Sequence, residues 1–142
     1  MTNSFWRFVA KCVAPHLART PVIFGDPEKV VIAKTARVVN ALINVQSGNV
    51  RINDYVFFGH NVCLLTGSHE INVDGKLRAT SIVRCGRDIS IDESAWLTSN
   101  VTVIGPSRIG KNAVILPGSE VTCDVPDNCI YGGIPARLIR EM

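Results

Sequence analysis

The chain reads as an all-β solenoid, a parallel β-helix of six-residue repeats, and three observations predict it. From Ile91 onward an aliphatic residue recurs at every sixth position: Ile91, Leu97, Val103, Ile109, Ile115 and Val121. Four places after each comes a small or short residue: Ala95, Val101, Ser107, Ala113, Ser119 and Val125. Between the columns fall turn-forming polar residues, among them Asn53-Asp54, Gly59-His60-Asn61, Asp92-Glu93 and Gly110-Lys111-Asn112. An amphipathic helix would space its apolar residues three and four apart, and a long strand would alternate strictly. A period of six fits a short strand followed by a tight corner, three to a coil. Both columns then point inward and the polar residues take the corners. Each coil hides its apolar face only against the next, as in other solenoids.

The elements follow in chain order within one domain of 142 residues. Phe5, Trp6, Phe8, Val9, Cys12, Val13, His16 and Leu17 recur at helical spacing, opposed by Arg7, Lys11 and Arg19. They predict a short amphipathic helix over residues 1–20, ending before Pro21. It packs on the coil end or on a neighbouring subunit, and it is the one segment that offers a membrane contact. The β-helix is expected over 30–126. Ile32 and Val38 pair with Ala36 and Leu42 in a shifted register, so an irregular join falls near 43–49, where Ser47-Gly48-Asn49 supplies the turn. The regular run then resumes with Ile52, Phe58 and Leu64 in the first column and Val56, Val62 and Ser68 in the second. Residues from about 70 to 83 break the pattern, and Asp74-Gly75 marks an excursion loop. The segment Cys85–Ser90 extends the later repeats backward by one weaker unit, and 127–142 form a small C-terminal cap.

Composition bounds the function. With 46% hydrophobic and 19% charged residues the chain can bury a core, which excludes global disorder. The net charge of +3 comes without a Lys/Arg run, which argues against nucleic-acid binding. Five cysteines form an odd set with no CxxC pair, so free thiols in a reducing cytoplasm are expected. Arg7, Lys11 and His16 break the N-terminal apolar run, which fits neither a signal peptide nor a membrane span.

Four segments carry a family resemblance. They are Phe58-Gly59-His60-Asn61-Val62 leading to Thr66-Gly67-Ser68-His69, the strand Asp88–Leu97 leading to Trp96, the run Ile109–Ser119, and Asp124-Val125-Pro126 followed by Gly133-Ile134-Pro135-Ala136-Arg137. Together they resemble the hexapeptide-repeat acyltransferases, in particular the galactoside, maltose and antibiotic acetyltransferases and the O-acetyltransferases of surface polysaccharides. The resemblance implies a left-handed coil, a homotrimer whose sites need groups from two subunits, and acetyl transfer from acetyl-CoA to a sugar hydroxyl, with no metal. This chain departs from the pattern at Leu97-Thr98-Ser99 and Ile115-Leu116-Pro117, where the family carries corner glycines, and at Cys123, where it often carries lysine.

Transfer from a thioester to a hydroxyl requires a base beside the attacking oxygen and donors for the oxyanion. Histidine suits the first role because its ordinary pKa of about 6.5 lets a neutral ring take the proton. Of His16, His60 and His69, the resemblance assigns the base to His69; His60 reads as a corner residue and His16 as part of the helix. Glu70 follows His69 directly, but neighbouring extended residues point apart. The resemblance places the acetyl-CoA groove beside Trp96, Thr98, Ser99, Gly118 and Ser119, with Arg137 toward a phosphate. Asn44 and Arg78 are the candidate acceptor contacts. Two other readings stand beside this one: a non-catalytic binding or scaffold β-helix, and a γ-class carbonic anhydrase-like hydratase, which needs three imidazoles on one zinc.

Overall fold

The computed structural model describes residues 7–8 and 20–142. Its strands form three sheets that the chain visits in turn. Sheet A holds β1 (Val22–Phe24), β3 (Leu42–Asn44), β6 (Cys63–Leu65), β9 (Thr102–Ile104) and β12 (Glu120–Val121). Sheet B holds β2 (Val30–Ile32), β4 (Val50–Ile52), β7 (Ile89–Ile91) and β10 (Ser107–Ile109). Sheet C holds β5 (Phe57–Phe58), β8 (Trp96–Leu97), β11 (Val114–Ile115), β13 (Cys129–Gly133) and β14 (Ala136–Glu141). Every pairing is parallel except the terminal hairpin of β13 and β14. Ile89 pairs with Ser107, Trp96 with Val114 and Thr102 with Glu120, each eighteen residues on, which is three repeat units.

The inward columns are the core. Ile52, Ile91 and Ile109 stack on sheet B, Phe58, Leu97 and Ile115 on sheet C, and Leu64, Val103 and Val121 on sheet A, none more than 6% exposed. Ala95, Val101, Ala113 and Val125 fill the tight corners and are wholly buried. A fully buried aliphatic side chain contributes about 1.5–3 kcal/mol, whereas an exposed ion pair is worth at most about 1 kcal/mol. The columns, not the surface pairs such as Lys111–Glu93, therefore hold the coils together.

Corners require left-handed backbone, and the sequence supplies residues that accept it. Asn40 (φ 47), Asn61 (φ 57), Asn100 (φ 60) and Gly118 (φ 70) stack on the corner between sheets C and A. Tyr55, Ser94, Asn112 and Asn128 stack on the corner between B and C. Asparagine tolerates this region better than other residues with a Cβ. Its amide also bonds along the stack: Asn40 donates to Asn61 (2.7 Å) and Asn61 to Asn100 (3.3 Å).

Several details differ from the sequence reading. Leu42 faces outward and Ile43 fills the core, because the first coil drops one residue between Val38 and Ile43. Thr66 is buried in place of Ser68, because the chain leaves the coil two residues earlier than the column pattern suggested. Cys85 is exposed, so only the end of the weak unit, Ile89 and Ser90 of β7, lies in a coil strand. Coils also begin earlier than residue 30, at β1, and sheet C continues through β13 beyond residue 126. The excursion joins β6 to β7 and carries a short helix, α1 (Gly75–Thr80), which the turn-rich sequence concealed. Of the expected N-terminal helix only Arg7 and Phe8 are described, and both are helical; the rest, His16 included, lies outside the described residues. Among those described, no helix is long and apolar enough to cross a membrane.

Candidate active site

The predicted residues fall into two groups on different corners. The first group lies where sheet A turns into sheet B. Here β6 ends and the chain departs through Thr66-Gly67-Ser68-His69. Four bonds staple this departure. The Thr66 hydroxyl donates to the Asn44 carbonyl (2.8 Å) and accepts from the Ser47 N–H (3.2 Å). The Ser47 hydroxyl accepts from the Ser68 N–H (3.2 Å), and the Arg87 Nε donates to the Thr66 carbonyl (2.8 Å). Gly67 is required because the Asn44 carboxamide lies 2.6–2.9 Å from where a Cβ would stand. His69 follows on this fixed base, in a single antiparallel bridge with Ile82, and is exposed. Asn44 and His69 are thus brought to one corner. Arg78 is on the excursion, but its guanidinium is spent there: it donates to the Val73 and Ile71 carbonyls and pairs with Asp74. That bonding holds α1 to its own loop. Glu70 is exposed, and its N–H donates to the Ser81 carbonyl.

The second group lies on sheet C and on the corner where C turns into A. Trp96 projects outward from β8, 40% exposed, and stacks on Phe57 with ring centroids 5.3 Å apart. Thr98 is buried and its hydroxyl donates to the Ile115 carbonyl (2.8 Å). The buried Ser119 hydroxyl donates to the Leu116 carbonyl (2.6 Å) and accepts from the Gly133 N–H (3.1 Å). Both hydroxyl hydrogens are therefore committed within the chain, as are the Thr98 N–H, which donates to the Ile115 carbonyl, and the Ser119 carbonyl, which accepts from the Thr102 N–H. Ser99 differs. Its oxygen accepts from the His60 N–H (3.1 Å), so its hydrogen remains available to donate. Gly59 permits this contact, since a Cβ there would stand 2.6 Å from the Ser99 nitrogen and oxygen. Gly118 has open space around its Cα. Arg137 is exposed on the terminal hairpin and donates to the Ala136 carbonyl.

Sheet A separates the two groups. Its strands are up to three residues long, about 10 Å at the usual rise per residue. A base must come within about 3 Å of the proton it takes. His69 therefore does not reach a reacting atom held at the Ser99 corner of its own chain. His60 lies on the C–A corner and His69 on the A–B corner, so the two described histidines do not converge. The Phe57–Trp96 stack and the free Ser99 hydrogen were not legible in the sequence.

No family model matches the chain. The galactoside O-acetyltransferase of Lactococcus lactis subsp. lactis (strain IL1403) is 35% identical over 98 residues, covering 69% of this chain and 46% of the relative. That of Escherichia coli (strain K12) is 32% identical over 126 residues, covering 86% of this chain and 59% of the relative. The chain thus spans about half the length of the curated relatives it matches. The crystal structure of a hexapeptide-repeat-containing acetyltransferase, VCA0836, from Vibrio cholerae O1 biovar eltor complexed with acetyl coenzyme A has the same fold. Its TM-score is 0.60 over 99% of this chain and 79% of that one, at 24% identity. With its paired six-residue columns wound into left-handed parallel coils and with this kinship, the chain belongs to the hexapeptide-repeat acyltransferase family.

Proposed function

We propose that the protein transfers an acetyl group from acetyl-CoA to a sugar hydroxyl, at a site shared by two copies in a homotrimer. One observation carries this reading: His69 and the Ser99–Gly118 corner lie at opposite margins of sheet A, which supports a site completed by a second copy. The named relatives act on galactosides, and one structural neighbour was crystallised with acetyl-CoA, which supports the donor and the acceptor class. Free thiols at Cys63, Cys85, Cys123 and Cys129 suit a reducing, cytoplasmic setting.

In this mechanism acetyl-CoA lies along the C–A corner, where backbone groups of Thr98, Gly118 and Ser119 face its pantetheine amides. Arg137 meets a phosphate. The Ser99 hydroxyl donates to the acyl oxygen. On the facing copy, Asn44 holds the acceptor and the neutral His69 ring takes the proton from its hydroxyl. The oxygen attacks the acyl carbon, and Ser99 steadies the charge that develops on the acyl oxygen. Collapse breaks the carbon–sulfur bond, and the imidazolium returns its proton to the departing thiolate. No enzyme nucleophile is required.

General acid–base catalysis is typically worth about 10²–10⁴-fold. His69→Ala should lower turnover by about that factor while leaving acetyl-CoA affinity nearly unchanged, because the ring acts on the reacting atoms only. His60→Ala, which keeps the backbone N–H that bonds Ser99, should retain activity. A folded His69→Ala trimer with near-normal turnover on a galactoside acceptor would remove His69 from this role.

A further inference from the structure

Beside Trp96, on the sheet C face near the B–C corner, a cleft of about 320 Å³ is lined by Thr35, Arg37, Tyr55, Val56 and Phe57. Arg37 bridges to Phe57, which pairs with Trp96, so the three share one outward column. One face of the Phe57 ring is covered by the Trp96 indole. On its other side in the column stands Arg37, and both residues line the cleft. Phe57 is 41% and Tyr55 61% exposed, and Tyr55 is fixed in left-handed backbone at φ 59 by its N–H bond to the Thr35 hydroxyl (3.0 Å).

Arg37 is the arginine that lines this cleft. The Arg78, Arg87 and Arg108 guanidiniums each bond to carbonyls or carboxylates of the chain, whereas those of Arg37, Arg51 and Arg84 make no such bond to a described residue. The Arg37 guanidinium forms no hydrogen bond or ion pair with any described residue, and it is exposed at the rim of an aromatic cleft. A planar guanidinium in this position presents a fork that matches a carboxylate or a phosphate in bidentate fashion.

We propose that this cleft is a subsite for an anionic pyranose, with the C–H face of the ring on Phe57, a hydroxyl on the Tyr55 phenol and the anionic group on Arg37. The anion is a uronate carboxylate or a sugar phosphate, which present the same chemistry to the guanidinium. The identification of this sugar as a further unit of the acceptor rests on the acetyl-transfer reading above, but the binding itself does not. Phe57 would hold either sugar, and Arg37 would set the preference for charge. The stack on Trp96 keeps the Phe57 ring upright and links the subsite to the groove.

The test is direct binding by calorimetry to the intact protein, without acetyl-CoA. The probes are digalacturonate, galactose 1-phosphate and neutral galactobiose. The proposal expects at least one anionic probe to bind about 10-fold or more tighter than galactobiose, the range expected for a hydrogen-bonded charge pair. Arg37→Gln should erase that preference, and Phe57→Ala should weaken all three sugars. Acetyl-CoA affinity, trimer mass and acetylation of a small neutral galactoside should stay unchanged in Arg37→Gln. Equal binding of charged and neutral probes overturns the proposal, as does a preference that survives Arg37→Gln. Loss of trimer mass or of acetyl-CoA affinity in Arg37→Gln also overturns it, by making Arg37 a subunit or cofactor contact. Failure of acetylation with the binding pattern intact would instead overturn only the acetyl-transfer reading.

Discussion

Three hydroxyls at one corner, Thr98, Ser99 and Ser119, should separate cleanly into stability and catalysis when each is replaced by alanine. Thr98→Ala removes a buried bond to the Ile115 carbonyl, which still accepts from the Thr98 N–H at 3.1 Å. The bond is worth about 1 kcal/mol net and the lost buried methyl about another 0.8 kcal/mol, so the cost should be near 2 kcal/mol. Ser119→Ala loses the 2.6 Å bond to Leu116 and leaves the Gly133 N–H to water at an exposed residue. It should cost roughly 1–2 kcal/mol. Ser99→Ala frees only the His60 N–H, at an exposed corner residue, and should cost no more than about 0.5 kcal/mol. Catalysis should rank the other way. Losing the one free hydroxyl donor should reduce kcat/KM by roughly 10- to 100-fold, or about 1.4–2.7 kcal/mol of transition-state stabilisation. Urea unfolding and steady-state kinetics with acetyl-CoA read the two scales on the same preparations. If Ser99→Ala proved the most destabilising of the three while kcat/KM stayed normal, the assignment of its hydrogen to the acyl oxygen would be wrong.

Two further outcomes follow from the corners. Asn61→Ala removes the bonds to Asn40 and Asn100 and puts alanine at φ 57, so it should cost about 2 kcal/mol; Asn61→Gly, free of the backbone strain, should cost about half as much in the same urea titration. At the B–C corner the Arg108 guanidinium, with the Lys111 backbone N–H, holds the Asp127 carboxyl below its ordinary value. A carboxyl lowered on folding contributes stability that is present above its unfolded pKa and lost as pH falls through the folded value. The urea midpoint should therefore fall at acid pH, below about 4; Arg108→Gln should lower the midpoint near neutrality and flatten the acid limb, its difference from the parent closing as pH falls if Asp127 is the source.

Much of the fold was legible because the core is one-dimensional. Every first-column residue from Ile91 to Val121 is wholly buried, since a six-residue period leaves a coil only one way to hide its aliphatic face. The corners were legible for the same reason, as Asn61, Asn100 and Asn112 sit where left-handed backbone is needed. What escaped was local or three-dimensional. Asp74-Gly75 reads as a turn whether or not a helix follows, and α1 does follow. Cys85 fits the column by type, but the excursion returns only at Ile89, held by Arg87 passing against Gly48 and Gly105. The candidate site was legible as a set of residues and not as two sets. Spacing along the chain places His69 and Trp96 on neighbouring coils, yet only the order of the three sheets puts them at different edges. Arg78 illustrates the same limit: its position on the loop suggested an acceptor contact, and its bonding shows a loop brace.

The shared site is the central claim, and subunit mixing tests it most directly. His69→Ala leaves the groove intact and removes the base; Gly118→His fills the open corner with a bulky side chain that tolerates φ 70 and leaves the base intact. Each variant trimer alone should be nearly inactive. Unfolded together at equal amounts and reassembled, random trimers place an intact base against an intact groove at roughly one interface in four. Acetyl transfer to a galactoside should therefore recover to about a quarter of the wild-type rate per site. Mixed trimers, verified by mass, that stay as inactive as their parents would contradict the account and return the whole site to a single chain.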